Sequence, residues 1–280
     1  MRISRFLWNG ECRGRGVGNR LPPIGVLGGT GIGPEVMGAA LRVLAAIEPP
    51  NGGSWPVRWH GRVGEPTRLR EGQHLSDAIS GFCEEVFSAG GAVLSGPGGG
   101  RYVYELRRRF DLFCKLVPIR PWPQLAGAGC VRPQHTANVD ILIVRDNAAG
   151  VYQGTWCEEL SAGARSAEHR FGYTEPEVRR LGVVAARAAA GRRGRLSVVV
   201  KDGGIPTVSA LWRDVAAAVA REQGVEAKLV NVDLAAYQIV QHPREFDVVV
   251  APNLFGDVLA DVAGVLLRSR GLGVSGNLAA

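Results

Sequence analysis

Asp257 and Asp261 stand four residues apart in NLFGDVLAD, at what reads as the start of a helix. That spacing puts both carboxylates on one helical face. Paired carboxylates suit a hard divalent cation such as Mg²⁺ or Mn²⁺, which takes oxygen ligands and keeps part of its water. A structural alternative makes Asp257 a helix N-cap and Asp261 a surface charge. Asp233 and Lys201 each end a strand-like run, AKLVNVD and LSVVVK. A lysine beside carboxylates and a metal can hold a depressed pKa and accept a proton; in isolation it is an exposed strand-end charge. Tyr152 follows the turn after VDILIVRD, where it can serve as a half-buried anchor or as an acid.

These residues need strand ends to position them, because ligands in open α/β sheets collect beyond the carboxyl ends of strands. Ile24 to Leu27 is a short buried strand, followed by the glycine turn GGTGIGPEV and a helix with Pro34 in its first turn. Val36, Ala40, Val43, Leu44 and Ile47 give that helix one apolar face. A helical pattern runs over 75–87, then GGAVLSGPGGG reads as strand and turn, and 107–112 as a basic helix before the proline-punctuated KLVPIRPWP. Strand patterns return at 139–146, with a turn at Asn147 to Gly150. Thr174 and Glu177 form a capping box ahead of a helix through Ala190. LSVVV, a helix over 208–222, AKLVNVD and FDVVVAP complete the alternation. The pattern predicts an α/β chain with substantial parallel sheet.

The glycine turn departs from the strict dinucleotide fingerprint, since G-x-G-x-x-G would need a glycine where Pro34 stands. Glu48 sits near the place for a ribose-binding acid. The chain has 280 residues, 46% of them apolar and 21% charged, as in an ordinary globular protein. No apolar run reaches the roughly 20 residues a membrane helix needs. The five cysteines never form a CxxC pair, which argues against a disulfide framework or structural zinc and for a reducing cytoplasm. Much of the net charge of +7 lies in the leader, 1–21, read as a disordered basic tail, and in GRRGR at 191–195. Basic clusters attract phosphate backbones, but no aromatic interleaving or nucleic-acid module accompanies them, so that function ranks last.

Together the segments resemble the isocitrate/isopropylmalate dehydrogenase family of β-decarboxylating dehydrogenases. IGVLGGTGIGPEV is similar to its IxVLxGDGIGPEV, LRRRFDLF to LRxxLDLF, and VRDNAAGVYQG to REnTGGIYxG. VDLAAYQIVQHP is similar to VDNAAMQLVRxP, and FDVVVAPNLFGDVLAD to FDVIVTPNLFGDILSD. The resemblance implies a two-lobed fold, with parallel sheet in a large cofactor lobe, 22–96 plus 247–280, and a mixed sheet in a dimerisation lobe, 97–246. It implies oxidative decarboxylation of a small 2-hydroxy di- or tricarboxylic acid by NAD or NADP. Asp257 and Asp261 would hold the metal, with Asp233 reaching it from the partner subunit of a homodimer. Lys201, also from the partner, would accept the hydroxyl proton, Tyr152 would protonate the enolate carbon, and Arg107 and Arg145 would clamp carboxylates. Gly31, Ile32 and Asn253 would lie against the dinucleotide.

Val117 stands where the family has a further clamping arginine, with Lys115 and Arg101 as nearby cations able to substitute. Tyr102, Val103 and Tyr104 precede Arg107, unlike the leucines that seat an isopropyl group or the Ser and Asn used for isocitrate. The expected substrate is therefore neither isopropylmalate nor isocitrate. Thr30 replaces an aspartate of GDGIG, and DGGIP follows Lys201 where the family has ANVL. The sequence stops at GLGVSGNLAA, near where the family continues into its adenosine-holding HGSAPDIAGKG loop, so a shortened large lobe is expected. These departures also fit a non-catalytic subunit that pairs with a complete homologue.

Overall fold

The computed structural model describes residues 21–47, 49, 53–59, 74–98 and 100–279. The basic leader, apart from Leu21, and Glu48 lie outside the described residues. The chain divides into two compact units, with the boundary between Leu106 and Arg107.

In the first unit, β1 (Ile24–Leu27), β2 (Val57–Trp59) and β3 (Ala92–Ser95) form a parallel sheet in the order β2-β1-β3. Parallel neighbours need crossovers, which α1 (Gly33–Ala46) and α2 (Asp77–Ser88) help to supply. Ser76 starts α2 by accepting the Ile79 N–H at 3.2 Å. On α1 the buried residues are Gly33 and Met37, whereas Val36, Val43 and Ile47 of the expected apolar face stay exposed. The helix α3 (Tyr102–Arg109) spans the boundary between units.

The second unit is built on a six-stranded mixed sheet. Its strands are β4 (Cys114–Ile119), β5 (Ile141–Asp146), β8 (Arg195–Val200), β9 (Glu226–Asn231), β10 (Val248–Ala251) and β11 (Gly276–Leu278), in the order β11-β4-β5-β10-β8-β9. A separate hairpin pairs β6 (Thr155–Ser161) with β7 (Ala164–Arg170). The four strands from β5 to β9 run parallel, and β4 and β11 are antiparallel. Strands of this kind are apolar on both faces because helices cover both. Val198, Val200, Val248 and Val250 pack with α5 (Glu175–Ala190) and α6 (Pro206–Glu222). Val199, Val249 and Ala251 face the other way, with α7 (Val232–Gln241) and α8 (Asn253–Gly264). A short helix, α4 (Pro133–Thr136), completes the set.

The expected fold class holds: the chain is α/β, with a parallel sheet in one unit and a mixed sheet in the other. The observed partition differs from the division expected at 97 and 246. Residues 247–280 belong with 107–246, because all four residues of β10 are buried between β5 and β8. KLVPI, the first part of the proline-punctuated stretch, lies in strand β4. Pro118 is tolerated there because β11 pairs only as far as Leu116, leaving β4 an edge at the proline. The expected strand through Asp233 stops at Asn231, and Asp233 lies in the first turn of α7.

Candidate functional site

Arg145 is the next-to-last residue of β5 and is almost fully buried. Its guanidinium pairs with the Asp257 carboxylate, and the Tyr152 hydroxyl donates to the other Asp257 oxygen at 2.9 Å. α8 begins at Asn253 after Pro252, so Asp257 sits one turn inside the helix and is not its N-cap. Burial works against the Asp257 charge, but Arg145, the Tyr152 hydrogen bond and Lys115 outweigh it and hold the carboxyl below its ordinary range. Gly256 lets the helix come this close, since a Cβ there would lie 2.4 Å from Arg145 Cβ.

Lys115 lies directly across the β4–β5 ladder from Arg145. Burial, then the charges of Arg145 and Arg107, push its ammonium down to about 8, against the opposite pull of Asp257 and Asp261. Arg107 is itself buried. Lys115, Val117, Asp257, Asp261 and Arg270 line one cavity of about 160 Å³, with Ile119 and Leu267 in its apolar wall. Asp261 is exposed and accepts from Arg270 at 2.9 Å. The site therefore gathers four cations, Arg107, Lys115, Arg145 and Arg270, and two helix-borne carboxylates.

Lys201 follows β8 directly, its N–H held by Ser209 Oγ at 3.0 Å. Its ammonium donates to Asp233 at 2.8 Å, and that bond holds the Asp233 carboxyl below its ordinary range. The chain thus assembles two of the expected clusters separately: Tyr152, Arg145, Lys115, Asp257 and Asp261 on one side, Lys201 and Asp233 on the other. Among the described residues no three His, Cys, Asp or Glu side chains come together as a metal cluster.

The expected cofactor contacts fare differently from one another. Gly31 has φ of +57° with open space where a Cβ would be, and Ile32 is 62% exposed at the start of α1. The turn's other glycines answer to packing: Cβ atoms at Gly29 and Gly33 would lie 2.2 Å from Pro97 O and 2.5 Å from Gly28 O. Asn253 is buried, with its N–H on Tyr173 Oη at 2.9 Å and its side chain donating to Asp146 O at 3.3 Å. Its side chain is committed to the interior. In the first unit, the Arg101 guanidinium lies over the Tyr104 ring, 5.4 Å from its centre.

The GRRGR cluster is largely neutralised. Arg192 pairs with Asp140 and with the buried Asp247, each at 2.8 Å, and Arg193 also approaches Asp247. Four described cysteines are free, and no helix among the described residues is long and apolar enough to cross a membrane. Sequence patterns alone did not single out Gly256, Asp146 or Tyr173. Their importance lies in close approach and buried hydrogen bonds; Asp146 and Gly256 at least stand near Arg145 and Asn253 in sequence, whereas Tyr173 carries no sequence signal, meeting Asn253 across 80 residues.

Comparison with known proteins gives one consistent result. The family model for isocitrate/isopropylmalate dehydrogenase matches residues 23–280. A 3-isopropylmalate dehydrogenase of Oleidesulfovibrio alaskensis is 35% identical over 279 residues, covering 91% of this chain and 74% of that protein. One from Salinibacter ruber is 36% identical over 259 residues, covering 88% and 69%. Among solved structures, an isocitrate dehydrogenase from Methylococcus capsulatus superimposes with a TM-score of 0.75 at 25% identity, over 92% of this chain and 75% of that one.

Proposed function

Since the chain belongs to the isocitrate/isopropylmalate dehydrogenase family, we propose that it catalyses metal-dependent, NAD- or NADP-linked oxidative decarboxylation of a small 2-hydroxy di- or tricarboxylic acid. The observation that carries this reading is the Arg145–Asp257–Tyr152 cluster, whose Asp257 lines a cavity together with Lys115 and Asp261. Two carboxylates one helical turn apart beside a single cavity fit a hard divalent cation. Asp257 and Asp261 would hold Mg²⁺ or Mn²⁺, completed by Asp233 of a second copy. The ion supplies Lewis acidity toward the substrate's oxygen.

The chain's own residues do the rest. Arg107 and Arg145 bind substrate carboxylates, where a guanidinium fork gives geometry as well as charge. Lys115 supplies the cation lost at Val117, supported by their shared cavity; Arg101 is the second candidate. Lys201 accepts the hydroxyl proton, and Tyr152 delivers a proton to the substrate carbon. Gly31 and Ile32 border the dinucleotide. With Val117 in the cavity and tyrosines before Arg107, the substrate is neither isopropylmalate nor isocitrate.

The reading includes a homodimer with an active site shared across its interface. It is supported by the exposed apolar stripe Leu234, Tyr237 and Val240 on α7, and by a β6–β7 hairpin exposed on both strands. An isolated two-stranded hairpin is marginal in water, so a covering surface is needed.

Calorimetric titration of NAD and NADP with Mn²⁺ present, followed by a hydroxy-diacid screen, tests the proposal. Micromolar cofactor binding and turnover abolished by chelator or by Asp257→Asn are the expected results. Val117 also favours a second reading, a non-catalytic subunit of the same family. Unchanged partner binding with no turnover in either wild type or Asp257→Asn would select it.

A further inference from the structure

Asp146 ends β5 beside Arg145, and successive residues of a strand face opposite sides of the sheet. Arg145 faces α8, where it pairs with Asp257; the Asp146 carboxyl turns toward the α5 side and is 2% exposed. There it meets Cys114 and Tyr173, with Glu177 and Arg180 of α5 as the nearby charges. Arg180 is already held by Asp111, at 2.6 and 2.9 Å. The Asp146 carboxylate is instead held by backbone: Oδ2 accepts the Ala149 N–H at 2.9 Å, and the Ala148 N–H also reaches the carboxylate.

Those N–H groups belong to the turn that delivers Tyr152. The Asn147 carbonyl accepts from Gln153 Nε2 at 3.2 Å, and the Asn147 amide donates to Asn277 at 2.8 Å. Gly150 has φ of +73°, and a Cβ there would lie 2.1 Å from Tyr173 Oη. The same Tyr173 hydroxyl accepts the first N–H of α8, and Asp146 O accepts from the Asn253 side chain. On the far side, a His169 ring nitrogen lies 2.6 Å from Val151 O. Tyr152 is therefore carried on a short turn whose start is tied to the carboxylate and to the same buried groups that seat α8, which bears Asp257.

We propose that Asp146 is the positioning residue of Tyr152, its carboxylate fixing the 147–150 turn so that the phenol reaches Asp257. Hydrogen bonds to a carboxylate are roughly twice as strong as neutral ones, which accounts for a buried acid where an uncharged cap would also close a turn. The kinetic consequence, though not the geometry, rests on the reading of Tyr152 as proton donor.

The test places 3-fluorotyrosine at position 152 of the full chain and records its ¹⁹F resonance. Asp257→Asn provides the reference for a phenol that has lost its charged acceptor. In Asp146→Asn, which keeps one acceptor and the side-chain volume, the resonance is expected to move toward that reference or to double. Asp146→Ala should move it further. An unchanged single resonance in Asp146→Asn, with circular dichroism showing the fold intact, would overturn the proposal and leave Asp146 a purely structural cap. Should Asp146→Ala fail to fold, Asp146→Asn decides alone. Where turnover is found, kcat should fall at least tenfold with KM unchanged. A moved resonance with unchanged kcat would refute Tyr152 as the acid and leave the positioning intact.

Discussion

Arg145 and Asp146 are neighbours in sequence with opposite electrostatic settings. Arg145 meets a carboxylate; Asp146 is buried with no cation among the described residues bonded to it, and that burial raises its carboxyl from 3.8 to about 6. A carboxyl raised on folding favours the protonated native state, so its contribution is fully present below about pH 4 and is lost as pH rises through 6. The shift corresponds to roughly 3 kcal/mol between those limits. Urea melts at pH 4.5 and 7.5 should show wild type losing stability relative to Asp146→Asn as pH rises, by about 2 kcal/mol. Parallel behaviour of the two proteins would show that the charge is not desolvated. A second prediction concerns close approach. Gly256→Ala inserts a methyl against Arg145 Cβ, and overpacking of this kind costs about 1–3 kcal/mol. Denaturant melts should register that loss, together with weaker Mn²⁺ binding as Asp257 is pushed away.

At the scale of elements, what the sequence made legible followed apolar period. β5, β8 and β10 read as strands because both faces are buried, and α5 announced itself through Thr174 and Glu177, whose carboxylate accepts the Thr174 N–H at 2.7 Å. The β6–β7 hairpin left no such trace. Its strands are exposed throughout, so CEELSAGARSAEHR carries no buried face, and its turn rests on positive φ at Ala162 and Gly163. β4 is hidden by Pro118, and VNVD continues the β pattern to Asp233 although β9 ends at Asn231 and α7 starts at Val232. The site residues were legible as types at strand ends; the contacts of Arg145 were not, because Asp257 lies 112 residues away in sequence and Lys115 meets it only through the β4–β5 register. A test belongs to the α5–α6 contact, where Gly182 faces Val219 with ordinary spacing of 3.7 Å for an added Cβ. Gly182→Ala should stabilise the protein by roughly 0.5–1 kcal/mol, through lower unfolded-state entropy, as a raised melting temperature.

Across the whole molecule, charge is used differently at the two ends of the strands in the six-stranded sheet. Before β5 and β10, Asp140 and Asp247 bind Arg192 and Arg193; at the opposite ends of β5 and β8, Arg145 and Lys201 hold the carboxylates of the candidate site. Arg192→Ala should accordingly lower stability by removing the 2.8 Å pair to the buried Asp247, which keeps Arg193 and backbone N–H partners, by about 1–3 kcal/mol in denaturant melts, while leaving cofactor titration unchanged in the folded fraction. The proposed dimer is tested at the same scale. Tyr237 and Trp156 are 62% and 60% exposed in the single chain, and Tyr237→Glu or Trp156→Glu should convert a sedimenting dimer into monomer. A wild type that sediments as monomer at micromolar concentration would sink the shared-site reading.

The place of β10 has a consequence for how the protein is made. It is the tenth strand in sequence but lies between β5 and β8, both synthesised earlier. Until Ala251 has left the ribosome, β5 and β8 each present an unpaired edge flanked by valines and isoleucines, the kind of surface that recruits other strands. The second unit therefore completes its sheet only after nearly the whole chain has emerged. Unpaired strand edges exposed over such an interval are the kind of surface on which chaperones act.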